Sequence, residues 1–229
     1  MSSTTPLMSL RVQRKRYAGR GPDVLSELRV EVAHGEIVAL LGARGSGKST
    51  LLRIVAGHDT NFTGQLVIEG LRQYGPSDAV GIVFEAPRLF PWLSVARNVG
   101  FVAGQRYDAR RVAALLARVG LAGFADLPPH RLTASQAQRV AVARALYTEP
   151  RLLLLDAPFA ASDPATRARL EALVLELVAE RGCGLLTVAQ DADEAARVAG
   201  RVLQLPPGPG SVLREPGANH AIVVGSQRL

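Results

Sequence analysis

The sequence is poor in several things, and each shortage removes a class of protein. Its one cysteine, Cys183, excludes a disulfide framework and a cysteine-based zinc centre. Four histidines, His34, His58, His130 and His220, are scattered without metal-ligand spacing. No apolar run approaches the roughly 18 residues that argue for a membrane-crossing helix. The start, MSSTTPLMSL, has no basic segment followed by an apolar stretch, so no secretory leader is read there and a cytoplasmic location is expected. Lysine is almost missing: Lys15 and Lys48 are the only two among 27 basic residues. The arginines are dispersed, and the longest basic run is Arg14-Lys15-Arg16. A net charge of +7 without a cluster is no nucleic-acid footprint, so no nucleic-acid partner is expected. What is plentiful is apolar material: 48% hydrophobic and 21% charged over 229 residues suits a packed core and excludes a disordered chain.

Along the chain, short apolar runs alternate with helical spacing. Residues 7–13 and 24–32 read as strands joined through the stretch from Ala18 to Pro22. Residues 36–41, EIVALL, predict a buried strand, Lys48 to Ala56 a helix stopped by Gly57, and 64–70 and 80–84 further strands. Helical spacing runs from Leu93 to about Leu121, then a loop from Gly123 to Arg131, then a helix from Gln136 to Tyr147. Arg151 to Leu155 is a second buried strand ending in Asp156. A long helix follows from Asp163 to Glu180, with Pro164 at its favoured first position. Leu185 to Ala189 and Arg201 to Leu205 read as strands around a helix from Asp191 to Val198, and Pro206 to Gly210 as a turn before a short β tail. Alternating buried strands and helices predict an α/β domain with a mainly parallel sheet.

One segment carries explicit chemistry. Gly42-Ala43-Arg44-Gly45-Ser46-Gly47-Lys48-Ser49 fits G-x-x-x-x-G-K-[ST], followed by Thr50, and stands between an apolar strand and a helix. Glycines let the backbone curl so that several N–H groups face one anion, and the helix adds the positive end of its dipole. Lys48 supplies a point charge to β and γ phosphate oxygens, and the Ser49 hydroxyl suits Mg²⁺. Asp156, ending the run RLLLLD, is placed to hold that Mg²⁺ through water. The pattern points to a nucleoside triphosphate bound with Mg²⁺.

Between these motifs lies LTASQAQRVAVARAL, beginning at Leu132. It resembles the LSGGQ signature that precedes the second phosphate-site motif in ATP-binding cassette (ABC) proteins; here the five positions are Leu132, Thr133, Ala134, Ser135 and Gln136. Other segments are similar to that family in order. Tyr17 matches the aromatic residue that stacks on adenine. Val83-Phe84-Glu85 and LFPWLSVARNVGF match the Q-loop and the start of the helical subdomain. Asp163 matches the D-loop aspartate, and Gln190-Asp191 with Glu194-Ala195 the H-loop. The resemblance implies a P-loop NTPase fold of ABC type: a mainly parallel sheet core, an antiparallel β subdomain and an inserted helical subdomain. It implies one nucleotide-binding domain over 1–229, with the ATP-binding core at about 1–84 and 148–229 and the helical, signature-bearing part at about 85–147. PWLSVARNV is most similar to ATPase subunits of nitrate, sulfonate and taurine importers.

Three positions that the family uses for hydrolysis are altered. The glutamate that polarises the attacking water is Ala157, the histidine that contacts the γ-phosphate is Gln190, and the Q-loop glutamine is Glu85. Loss of a positioned base costs about 10²–10⁴ in rate. Glu85 could still join Ser49 and Asp156 around Mg²⁺, since carboxylate suits that metal. In the signature, Thr133 keeps a hydroxyl, whereas Ala134 and Ser135 are expected to narrow the backbone angles open to glycine. The aromatics Phe90 and Trp92 are expected to help fold the helical part; the alternative is that one of them lines the groove where the family's permease docks.

The resemblance implies ATP and Mg²⁺ as cofactors. It implies as partners integral-membrane permease subunits, a second ATPase chain and, indirectly, a solute-binding protein, with the chain peripheral on the cytoplasmic face of the inner membrane. Two chains of this family pack head to tail, so a homodimer would carry two altered sites, and a heterodimer with an intact chain would carry one. A non-transport regulator or scaffold built on a degenerate ABC domain is the alternative function.

Overall fold

A computed structural model describes residues 5–17, 21–102, 107–160 and 162–205. The expected joint at 18–20 and the expected turn and tail beyond 205 lie outside them. The described residues form two compact units: those within 1–76 and 186–229 make the first, and those within 77–185 the second.

The first unit holds an antiparallel sheet in the order β2-β1-β4-β5, where β1 is Met8–Lys15, β2 Leu25–Val32, β4 Thr63–Ile68 and β5 Leu71–Arg72. Strand β1 alternates, with Met8, Leu10 and Val12 buried and Arg11 and Gln13 exposed. That is the period of a half-buried strand. The alternation slips between Val12 and Arg14, where the pairing with β4 shifts register. After the slip Lys15 turns inward and is 2% exposed, so the basic run is two solvated arginines around a buried lysine. Strand β5 is missing from the sequence reading because its two residues are both exposed and carry no alternation. In the same unit β3 (Ile37–Gly42) pairs parallel with β9 (Arg201–Leu205), from Val38↔Arg201 to Gly42↔Leu205. Helix α1 (Lys48–Val55) follows β3, and helix α6 (Ala192–Val198) precedes β9.

In the second unit, β6 (Val80–Val83) pairs parallel with β7 (Leu152–Leu155). All four leucines of β7 are buried, as suits a parallel strand covered on both faces. Strand β8 is Gly184–Val188. Gly184 N–H donates to the Arg151 carbonyl at 2.8 Å in the second unit, and Ala189 N–H donates to the Leu40 carbonyl at 3.0 Å in the first. The sheets thus join parallel and antiparallel strands with helices, the expected α/β class.

The helical spacing from Leu93 to Leu121 resolves into α2 (Val95–Gly100) and α3 (Ala109–Arg118). A side chain on Gly100 would strike the ring of Tyr107, and Asp108 starts a new helix by accepting from the Arg110 and Arg111 N–H groups. The loop from Gly123 to Arg131 contains a 3-10 turn at Pro129–Arg131. Its carbonyls at Leu127 and Ala125 accept from Val95 and Ala96, satisfying first-turn donors of α2. Helix α4 runs Ala134–Leu146, two residues longer at its start than expected, and α5 runs Pro164–Arg181. Cys183 is buried, and burial pushes its thiol up to about 11, which keeps it protonated and unreactive at neutral pH. No described helix is long and apolar enough to cross a membrane.

Candidate functional site

The first unit carries the phosphate loop. Strand β3 delivers the chain to Gly42, where a Cβ would lie 2.5 Å from the Leu205 carbonyl oxygen and 2.6 Å from Ser46 Oγ. The loop curls through Ser46 N–H to the Ala43 carbonyl at 3.1 Å. It ends at Gly47, whose φ of +98° is left-handed and which begins α1 without any side-chain cap. Lys48 Nζ donates to the carbonyls of Gly42 at 2.7 Å and Ala43 at 2.9 Å, and approaches Ser46 Oγ at 3.4 Å. Its ammonium is therefore folded onto the loop's own oxygens, the kind of acceptor that phosphate oxygens can replace. Ser46 is buried, Ser49 is half-buried and Arg44 and Gly45 are exposed.

Tyr17 lies past the end of β1 and is 46% exposed, with its hydroxyl 3.1 Å from Thr50 Oγ1 on the first turn of α1. Gln190 follows the Ala189–Leu40 bond, so it leaves the sheet beside the strand that feeds Gly42. Its side chain is exposed, and its N–H donates to Glu194 Oε2 at 3.1 Å. Asp191 caps α6 through the Glu194 N–H.

The second unit carries the remaining residues. Asp156 N–H donates to the Val83 carbonyl at 2.9 Å. Asp156 and Glu85 thus leave neighbouring parallel strands at the same end, Asp156 half-buried and Glu85 exposed. Ala157 has φ +45°, a left-handed conformation that costs a non-glycine residue energy. Asp163 caps α5, and the hydrogen bonds it accepts from Thr166 hold its carboxyl below the usual carboxylate range.

The signature forms a capping box. Thr133 Oγ1 accepts from Gln136 N–H at 3.2 Å, and Gln136 Oε1 accepts from Thr133 N–H at 2.8 Å. Ala134 and Ser135 are the first helical residues of α4, and neither has a positive φ. The expected restriction relative to glycine therefore has no consequence for the backbone here. The box also explains why α4 starts earlier than expected. Leu132 is half-buried just before it.

Sequence reasoning missed the residues that hold this machinery. On α4, Gln138 Nε2 donates to the carbonyls of Phe84 and Glu85, and Arg144 donates to those of Pro87 and Arg88. Asn98 is fully buried in α2; it accepts from Phe90 N–H and donates to the carbonyls of Phe90, Leu93 and Ser94. A lone Asn in an apolar helix was the available signal. The burial of Lys15, which donates to Asp59 Oδ1 at 2.6 Å, was also missed. Phe90 contacts both Trp92 and Phe101, with ring centroids at 5.5 and 4.3 Å. Trp92 is 76% exposed, so apart from its contact with Phe90 it lies at the surface.

The ABC transporter family model matches residues 25–160. The chain is 49% identical over 212 residues to the aliphatic sulfonates import ATP-binding protein SsuB 2 of Burkholderia lata, covering 92% of this chain and 77% of that protein. It is 46% identical to SsuB 1 of Pseudomonas syringae pv. syringae, covering 96% and 87%. Among solved structures it is similar to the MJ0796 ATP-binding cassette, a dimer in a post-hydrolysis state bound to ADP and Pi, with TM-score 0.78, 28% identity and coverage of 91% and 98%. It is also similar to cbiO1 of Clostridium perfringens, part of the cbiONQ transporter complex, with TM-score 0.76, 28% identity and coverage of 87% and 84%.

Proposed function

The chain belongs to the ABC transporter family, and from that premise we propose that it is the ATP-binding subunit of an importer for a small anionic solute of the aliphatic sulfonate, taurine or nitrate type. The observation that carries ATP binding is the curled loop from Gly42 to Gly47, with Lys48 folded onto the Gly42 and Ala43 carbonyls at its mouth. Lys48 exchanges those carbonyls for phosphate oxygens, and the uncapped start of α1 faces the same anion. Tyr17 offers its ring to adenine. Ser49, Asp156 and Glu85 are oxygen donors, which fits Mg²⁺. When bound, Mg²⁺ offsets the charge of the β and γ oxygens.

Turnover by this chain alone is slow. Ala157 has no group that can orient or deprotonate water, and the Gln190 amide carries no imidazole to meet a γ-phosphate. The capping box engages the Thr133 Oγ1 and Gln136 Oε1 acceptors on α4 itself, leaving the Thr133 O–H, the Gln136 NH₂ group and the helix dipole as the signature's contribution. A partner ATPase chain with an intact signature and catalytic set therefore makes a more active pair than two copies of this chain. Permease subunits dock by the aromatic surface of Trp92 and Phe101, which places the chain peripherally on the cytoplasmic face of the inner membrane. A solute-binding protein delivers the anion to the permease. The residues of this chain never touch the solute.

Titration calorimetry with MgATP tests the reading. Lys48→Ala is expected to weaken binding by about tenfold or more, the worth of a charged hydrogen bond. Equal affinity in the two proteins refutes it.

A further inference from the structure

The two lysines of this chain serve the same helix from different places. Lys15 ends β1 with its side chain 2% exposed. Its ammonium donates to Asp59 Oδ1 at 2.6 Å and to the Asn61 carbonyl at 2.8 Å. It also lies 4.6 Å from the centroid of the Tyr17 ring. Two oxygens and one aromatic face thus surround a buried cation with three N–H groups. Asp59 and Asn61 belong to the loop that follows α1, and Asp59 also accepts from Asn61 N–H at 3.2 Å. Two residues after Lys15, Tyr17 reaches Thr50 in the first turn of α1 at 3.1 Å. The end of β1 therefore grips the phosphate-loop helix at both ends, through Tyr17 at its start and Lys15 beyond its finish.

We propose that Lys15 is a positioning residue for the nucleotide base: clamped by Asp59 and Asn61, it fixes and polarises the Tyr17 ring so that the ring's open face takes adenine. The proposal rests on the ATP-binding reading above. Tyr17 is 46% exposed, so its ring is available to a ligand. The face under the ammonium is closed by a buried side chain. A cation on that face draws π-electron density toward itself and lowers the negative charge of the opposite face. An electron-rich purine stacked there meets less repulsion. The Tyr17–Thr50 bond sets the tilt of the ring, and the ammonium sets its height. Solvent does not screen this contact, because Lys15 and its partner Asp59 are 2% and 14% exposed.

The test separates the base from the phosphates. Binding of MgATP and of Mg-tripolyphosphate is measured by calorimetry on the full chain. Lys15→Met alone leaves Asp59 without its cation, so the main variant is Lys15→Met with Asp59→Asn, which leaves no buried charge unpaired. Its MgATP affinity is expected to fall by about tenfold with tripolyphosphate affinity held within about twofold, in the range of a desolvated cation–π contact. Asp59→Asn alone, which keeps the lysine, is expected to shift the same ratio by a smaller factor. Parallel loss of both ligands would make Lys15 a structural residue only and overturn the proposal, as would an unchanged ratio. Failure of the unmodified chain to bind either ligand overturns the nucleotide reading itself.

Discussion

Two helices of this protein begin at motifs with opposite solutions to the same problem. Every helix starts with N–H groups that have no partner inside the helix. Helix α4 answers with its own sequence: Thr133 and Gln136 exchange hydrogen bonds across the first turn. Helix α1 begins at Gly47, which supplies no side chain at all. The closed start is self-sufficient and stabilises its helix. The open start gives up that stabilisation and keeps its positive end available to an outside anion. The backbone conformation follows the same division. Gly47 is left-handed, with φ +98°. Ala134 and Ser135 are ordinary first-turn residues, where side chains bring no strain.

The sharpest way to break the comparison is to give the open start a side chain. Gly47→Ala forces a Cβ into a left-handed backbone and to 2.6 Å from Leu25 Cδ2. We expect a loss of about 1–2 kcal/mol by urea denaturation, from the conformational term, together with weaker MgATP binding. An alanine variant as stable as the parent would show that the left-handed turn is not required. Next comes removal of the closed cap. Thr133→Ala should cost about 1 kcal/mol, the usual worth of an N-cap, without changing MgATP affinity at the phosphate loop. Weaker nucleotide binding in the isolated chain would show that the two helix starts are not independent. The smallest effect is at Ala157, a non-glycine residue at φ +45°. Ala157→Gly should stabilise by up to about 1 kcal/mol, since glycine adopts that angle without strain. A destabilised glycine variant would mean that the alanine methyl packs usefully and outweighs the backbone term.

The sequence made the phosphate loop legible because its parts are contiguous: an apolar strand, glycines at fixed offsets, Lys48 and a helix. Strands β3, β7 and β8 were legible for a related reason, since unbroken apolar runs mark parallel strands buried on both faces. The segment resembling the signature was found by pattern; Thr133, read as keeping the serine hydroxyl, is also the cap of α4. The stretch after Leu93 read as continuous helical spacing because periodicity does not register the break that Gly100 and Asp108 impose. Gln138 and Arg144 were invisible as site residues. Their hydrogen bonds go to backbone carbonyls more than 50 positions away, and a carbonyl has no sequence signature.

By itself the sequence determined the α/β class and the pattern of the phosphate loop. These are local properties, fixed by residue type and spacing along the chain. The tertiary structure alone decided where Lys15 goes. Lys15 and Lys48 are chemically identical, and Lys15 sits in what reads as a solvated basic run. A register slip in β1 turns it inward, 44 residues in sequence from the carboxylate that neutralises it. A buried cation persists only where folding brings it an anion and enough acceptors, and that meeting is a property of the packed chain and not of any segment within it.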